Sequence, residues 1–515
     1  MPTLRKTAAI LTFPAIAYLG AACERETPTE TRLMALVTSG PCSVPTLAHP
    51  TIQSAVNDPT CDPINVAAGT FLEPDPGPLT INRTVTLLGA QSSVDARNPR
   101  GAESVIADIQ GTSVGANNVV IDGFTIQNST VAAFTGFGIW INPGISGTQI
   151  LNNIIQNNIV GIGLSNGSGA QAVIRHNLIR NNTQPGGASG SGIYTDEFVG
   201  GPTVKNVLIE ENAFIGHAGF GGAINISNTD PTGGVFSLDV SSNSFDMNSR
   251  AFVLFNTHMS TIHDNTITNS TFVGSADIRI FDNNTNLSIL NNDLSNGVGH
   301  AIRLSDLGLV GGPSANVVIH QNNIAVYALT GLTVDAVPSG HTGTVNAECN
   351  WWNSPSGPFN ATSNPTGTGE EVVGDADFTP WLIAPAPGGA CSGGVPSGKV
   401  TGGGQVPASG GKATFGFNAK NQAGVGSSGH LNYLNHVTGA HLDCTVTVVT
   451  MLTPTTAEFS GTCSPNSAAT SFTAHVEDNG TPGKNGDVFR ITYPNSMIGV
   501  TEGGPLISGN IVIHR

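Results

Sequence analysis

Ile150-x-x-Asn153-x-Ile155, Ile174-x-x-Asn177-x-Ile179, Ile209-x-x-Asn212-x-Phe214, Val240-x-x-Asn243-x-Phe245, Ile262-x-x-Asn265-x-Ile267, Ile289-x-x-Asn292-x-Leu294 and Ile319-x-x-Asn322-x-Ile324 repeat one short phrase. A variant, Ile121-x-x-Phe124-x-Ile126, carries Phe where the Asn belongs. Successive asparagines lie 22 to 35 residues apart, the scale on which solenoids repeat. Between the copies runs a second phrase, in which Gly or Ala precedes two inward-type residues separated by one outward residue: Gly138-Ile-Trp-Ile141, Gly161-Ile-Gly-Leu164, Gly192-Ile-Tyr-Thr195, Ala301-Ile-Arg-Leu304 and Gly331-Leu-Thr-Val334. Both phrases alternate with period two, so both predict strands. Two or three short strands per repeat make one coil of a parallel β-helix, whose apolar side is buried only by stacking on the next coil. The recurrent Asn is expected at a tight bend, in left-handed geometry, bonded to its own backbone and stacked from coil to coil about 4.8 Å apart.

This pattern resembles the right-handed parallel β-helix repeats of the pectin-lyase-like superfamily over roughly residues 45–383. Ile64-Asn-Val-Ala-Ala-Gly69-Thr-Phe-Leu-Glu73 is similar to the opening coil of such proteins. Asn350-Trp-Trp-Asn-Ser-Pro-Ser-Gly-Pro358 resembles their closing segment, in which paired tryptophans cap the last coil. Pro50-Thr-Ile-Gln-Ser-Ala-Val56 predicts a short helix plugging the first end. Residues 396–515 change character into closely spaced alternating segments, which suggest a β-sandwich or barrel. Gly402-Gly-Gly404, Asp478-Asn-Gly-x-Pro-Gly483 and Asp487-x-Phe-Arg-Ile491 resemble a post-COAP-type module; Asp478, Asn479 and Asp487 read as a turn before they read as a calcium loop. The fold class is therefore all-β: a right-handed parallel β-helix over 41–384, a linker at 385–395 and a β-sandwich module at 396–515.

Ahead of these, Arg5 and Lys6 precede an apolar run ending Leu19-Gly20-Ala21-Ala22-Cys23, an export signal over 1–22 followed by a tether over 23–40. The run resembles a bacterial lipoprotein site with Cys23 as the lipidated residue; Leu19 lies four before the Cys, where three is usual, so plain secretion stays open. Setting Cys23 aside leaves six cysteines, and six allow 15 pairings. Proximity within each module selects Cys42–Cys61, Cys349–Cys391 and Cys444–Cys463. None has zinc spacing, and neither a metal nor a cofactor is expected. The compartment is outside the cytoplasm: cell envelope or secreted. With a net charge of −16 and no basic cluster, nucleic acid is not an expected partner, and a monomer is expected.

The superfamily contains lyases, glycosidases and esterases, and the fold does not choose among them. Asn228-Thr229-Asp230 matches only the first of the segments a polygalacturonase needs, and Trp140-Ile-Asn-Pro143 keeps two of the four residues of a pectate lyase run. No catalytic motif is complete. What the pattern does place is an outward row read coil by coil: Trp140, Gly163, Tyr194, Asn225, Val253, Arg279, Arg303 and Thr333, with Asn142, Ser165, Asp196, Ser227, Phe255, Phe281, Ser305 and Asp335 beside it. Aromatic faces, amides and guanidiniums in line suit an extended glycan, which makes Trp140, Tyr194, Asp196, Asn225, Phe255, Arg279, Phe281 and Arg303 the candidate contacts. The plainer account is an ordinary outer face, with Asp277, Asp282 and Asp306 neutralising the two arginines. The expected function is binding of a polysaccharide or another cell-envelope component, with membrane contact through the lipid anchor alone. A divergent polysaccharide lyase or glycoside hydrolase and a structural spacer or adhesin are the alternatives.

Overall fold

Each copy of the first phrase folds into two short strands around a sharp bend, as in Gln149–Leu151 and Ile154–Gln156, with Ile150 and Ile155 buried. In the computed structural model, the described residues are 39–514 except 74–76, 132–135, 168, 220, 392–397, 423–425, 454 and 496–497. The signal run, Cys23 and the tether up to residue 38 lie outside them. Stacking aligns the two halves of the first phrase and the whole second phrase into three parallel sheets of 13, 10 and 11 strands among the described residues. One continuous core of Ile, Val, Leu and Phe fills the space they enclose. Parallel strands need a crossover between partners, and here the rest of each coil supplies it.

The bend departs from expectation in one respect. The left-handed residue is the one before the repeating Asn: Asn152 (φ 53°), His176 (58°), Glu211 (53°), Ser242 (56°), Asp264 (54°), Asn291 (54°) and Gln321 (58°). That single left-handed step turns the chain and throws the following Asn inside, where it is fully or almost fully buried. The ladder itself forms as expected. Asn177 donates its backbone N–H and its Nδ2 to Asn212 Oδ1, both at 2.9 Å, and sends Nδ2 to the carbonyl of Ile150 at 2.8 Å. The same pattern links Asn153 to Asn177, and Asn212 through Asn243, Asn265, Asn292 and Asn322 to Asn350. The ladder satisfies buried backbone groups at a corner where strand pairing cannot. Asn350 shows that Ala347-x-x-Asn350-x-Trp352 is a further copy of the phrase. Trp352 fills its apolar position and is wholly buried against the last coils.

A second ladder runs through Asn158, Asn182, His217 and Asn248 at the next corner. His217 stands where the neighbouring coils have Asn, fully buried between Asn182 Nδ2 (3.4 Å) and Asn248 Oδ1 (2.9 Å). Burial pulls its pKa down to about 4, against the opposing hydrogen bond to Asn248.

At the first end, helix Ile52–Val56 buries Ile52, Ala55 and Val56, with Thr51 and Ser54 forming a capping box. At the other end the chain from Leu382 to Cys391 folds back on the solenoid. Leu382 bridges Cys391, and Ala386 exchanges two hydrogen bonds with the Asn323 amide. Among the described residues, the C-terminal part forms one antiparallel sheet of nine strands. Its last strand, Ser508–His514, pairs with its first, Gly398–Ala408, so the separate β module expected at 396–515 is present as a single curled half-barrel where a two-sheet sandwich was expected. Phe415, Phe417, Tyr433, Phe459, Phe489 and Tyr493 fill it. In its loop, Asp487 accepts N–H bonds from Asn479 and Ile511, and Asp478 from Gly480 and Ile513, so these carboxylates anchor a turn. All three expected disulfides are present: Cys42–Cys61, Cys349–Cys391 and Cys444–Cys463. Such bridges are typical of extracytoplasmic proteins. Among the described residues no helix is long and apolar enough to cross a membrane.

Candidate functional site

The sheet built from the second phrase carries the outward row in the expected register. Trp140 pairs with Gly163, Gly163 with Tyr194, Tyr194 with Asn225, Asn225 with Val253, Val253 with Arg279, Arg279 with Arg303 and Arg303 with Thr333. Adjacent members are therefore one strand spacing apart, about 4.8 Å.

The row is less open than alternation alone implies. Asn225 is 7% exposed and Phe255 and Arg279 are 8% each, whereas Trp140, Tyr194, Phe281 and Arg303 keep more of their surface. Period two tells which way a side chain leaves the sheet; it does not tell what the connecting loops lay over it.

At one end, Trp140 leans across Gly163. A Cβ added there would lie 2.9 Å from Trp140 Cδ1 and 3.2 Å from the Phe137 ring, so the glycine is what admits the indole. Trp140 Nε1 donates to the Val199 carbonyl at 3.2 Å, which fixes the ring plane. Beside it, Pro78, Gln110, Thr112, Ser113 and Phe137 line a cleft of about 90 Å³. Enclosing pockets for small ligands run from roughly 300 Å³ upward. This cleft admits an edge or a substituent, and a polymer would have to lie on the open face. Tyr194 donates its hydroxyl to Asp196 Oδ2 at 2.8 Å, and burial together with that bond raises its pKa. Asp196 also accepts the backbone N–H groups of Phe198 and Val199, so it is committed to holding this loop.

At the other end lie the arginines. Arg303 makes a two-pronged pair with Asp335, Nε to Oδ1 and Nη2 to Oδ2, both 3.0 Å. Ser305 donates to the same carboxylate. Burial works against ionising Asp335; the Arg303 and Ser305 bonds and the two guanidinium charges outweigh it and lower its pKa. Arg279 holds its guanidinium carbon over the Phe281 ring, 4.3 Å from its centre, donates Nη2 to Ser305 Oγ at 2.7 Å and Nη1 to the Arg303 carbonyl at 3.3 Å. Burial, then the Arg303 charge, brings its pKa down to about 10. Phe255 stacks on Phe281 with centroids 4.5 Å apart.

The counter-charge is thus Asp335, from the next coil, and not the three carboxylates expected. Asp277 is buried under Tyr327, whose hydroxyl donates to it at 2.5 Å, and burial pushes its pKa up to about 7. Asp282 accepts the N–H groups of Leu307, Leu309 and Val310, and Asp306 that of Gly308. Those carboxylates shape loops. Two further members were not found by the pattern. Arg250 precedes strand Phe252–Phe255 and stacks on Phe272 at 4.3 Å; His300 bonds Thr330 Oγ1 at 2.7 Å. Burial and then the Arg303 and Arg279 charges lower the His300 pKa.

Compared with known proteins, the chain matches no family model and no curated protein. Solved structures with partial likeness include the Agl-KA catalytic domain, at TM-score 0.37 and 15% identity over 62% of this chain and 62% of that one. The catalytic domain of a GH87 alpha-1,3-glucanase in complex with tetrasaccharides follows, at 0.33 and 15% over 64% and 66%. The enzymatically active domain of bacteriophage CBA120 tailspike protein 2 gives 0.24 and 11% over 88% and 71%. The chain spans under two thirds of the length of the first two. At such scores the likeness adds nothing to the strand pairings, on which the parallel β-helix rests.

Proposed function

We propose that this chain is an exported, lipid-anchored surface protein that binds polysaccharide through the sheet face carrying Trp140, Tyr194, Arg279, Phe281 and Arg303. The observation that carries this reading is the unbroken register of that face. It sets a fixed indole, a phenol and two guanidiniums in one line, with Gly163, Asn225 and Val253 on the coils between them. A repeating ligand matches a repeating surface, and stacking with charge-assisted hydrogen bonds is the chemistry such a line provides.

Binding without cleavage fits the carboxylates better than hydrolysis does. Glycoside hydrolysis uses two carboxyl groups flanking the bond. Here Asp196, Asp282 and Asp335 are each occupied by backbone N–H groups or by arginine, and Asp277 is buried under Tyr327. Three disulfides favour an oxidising compartment. The anchor rests on the apolar run and Cys23 alone.

The purified mature protein should be retained on at least one member of a polysaccharide panel and release no product from it. Released product makes the chain an enzyme; retention on none leaves the spacer reading. Mass spectrometry of the mature N-terminus tests the anchor, and an unmodified Cys23 removes it.

A further inference from the structure

We infer that the cleft beside Trp140 is a subsite for an acetyl group on the bound glycan, carried as an O-acetyl ester or an N-acetyl amide. This inference rests on the reading of the face as a glycan contact and names the substituent that the face selects.

The cleft lies on the same line as the rest of the face. Trp140 pairs with Ser113, and Ser113 with Thr80, so the outward row runs on past the indole towards the first end of the solenoid. A chain stacked on Trp140 along that row passes over the cleft. The walls are held in place. The Trp140 and Phe137 rings stand 6.2 Å apart, centre to centre, with their planes inclined by 36°, and Pro78 from an earlier coil lines the same space. The bond from Trp140 Nε1 to the Val199 carbonyl, at 3.2 Å, fixes the indole, and Gly163 leaves it the room that a side chain would take. A wall set before the ligand arrives loses little freedom when the ligand binds.

Size and polarity select the occupant. A dry cavity of about 150 Å³ holds a benzene ring. At about 90 Å³ this cleft takes little more than half as many atoms, which is the size of an acetyl group and too small for a sugar ring. None of the residues lining it is charged, and Pro78, Phe137 and Trp140 give it an apolar wall. A hydroxymethyl group would turn its hydroxyl from water towards that wall at a cost. An acetyl group divides differently, with an apolar methyl at its tip and a strong acceptor, the carbonyl, behind it. A donor for that carbonyl stands at the rim. Ser113 Oγ donates to Asn142 Oδ1 at 3.2 Å, and Asn142 Nδ2 makes no hydrogen bond among the described residues. Asn142 is half-buried, in the row beside Trp140. Recognition of this kind needs no charge on the ligand, and a chain of net charge −16 repels a polyanion at long range.

Matched neutral ligands test it on the full-length mature protein. Affinity electrophoresis and calorimetry compare an O-acetylated glucomannan with the same polymer after alkaline deacetylation. Oligomers of β-linked N-acetylglucosamine are compared in the same way with glucose oligomers of the same linkage. The acetylated member of one pair should bind roughly tenfold tighter, the combined scale of a buried methyl and one hydrogen bond. It should also shift the tryptophan emission further than its partner does. The pair that discriminates tells ester from amide. Ser113→Leu fills the cleft and should abolish the preference; Asn142→Ala removes the rim donor and should reduce it roughly threefold. The comparison on the unaltered protein stands whether or not the variants fold. Equal affinity within both pairs overturns the subsite and leaves the glycan face standing. A preference that folded Ser113→Leu retains in full overturns the subsite as well. Retention of neither acetylated ligand does the same, and if no polymer of a wider panel is retained either, the glycan face falls with it.

Discussion

Replacing His217 with asparagine should flatten the acid limb of the stability profile. The imidazole is fully buried between Asn182 and Asn248, and burial holds its pKa at about 4. In the unfolded chain it titrates near 6.5. Above pH 6.5 the ring is neutral in both states and no difference arises. Between pH 6.5 and 4 the unfolded chain takes up a proton that the folded chain refuses, so stability falls as pH falls. A gap of two to three pKa units corresponds to about 3 kcal/mol lost by pH 4. His258, held down to about 4, and His300 and His320, also lowered, act with the same sign; burial is the leading cause for each. The wild-type curve therefore sums several residues, and the difference between variant and wild type isolates His217. The smaller amide leaves space beside Gly192, so the absolute stability at pH 7 is free to shift; the prediction concerns the slope. Thermal unfolding of both forms every half unit from pH 7 to 4.5 reads it. The melting temperature of the variant should gain on the wild type by about 5 °C across that range. Parallel curves would refute the burial of a neutral imidazole in the ladder.

His263 should act with the opposite sign. Its bonds to Asp239 and Asp264 outweigh burial and raise its pKa to about 9, so its contribution is present below pH 6.5 and lost as pH rises through 9. His263→Gln should then cost more stability at pH 6 than at pH 9.5, and equal losses would contradict it. In the first ladder, Asn212→Ala strands the buried N–H of Asn177 and the carbonyl of Ile174. A loss of about 3–5 kcal/mol follows, and a melting temperature near wild type would count against the ladder. Gly163→Ala should displace the Trp140 indole, shift tryptophan emission and reduce polymer retention; unchanged emission would mean that the glycine does not set the ring. Replacing Cys349 and Cys391 together by Ser should cost about 2–4 kcal/mol. Peptide mapping without reductant should recover the three bridges, and a link between Cys349 and the Cys444 region would contradict the module boundary.

The repeat phrase determined more than the fold class. Because strand alternation has period two and each coil adds one strand per sheet, the spacing from Ile150 to Ile319 already specified which residues meet. Arg279 pairs with Arg303, and Trp140 and Tyr194 flank Gly163, as the phrase alignment requires. The three disulfides followed from proximity within modules, since short loops close most readily.

Only the tertiary structure decided what lies over that face and which acid meets which base. The left-handed step fell on Asn152, His176 and Glu211, side chains so varied that no residue type announces it. Asp335 became the partner of Arg303 because it points to the same side one coil further on, while Asp277, nearer in sequence, is taken by Tyr327 from a distant turn. Arg250 lies outside both phrases, and its place over the Phe272 ring is set by packing. Backbone hydrogen bonding propagates a register that can be read along the chain. Loops obey no period, and the charges they bring together are set by packing in three dimensions.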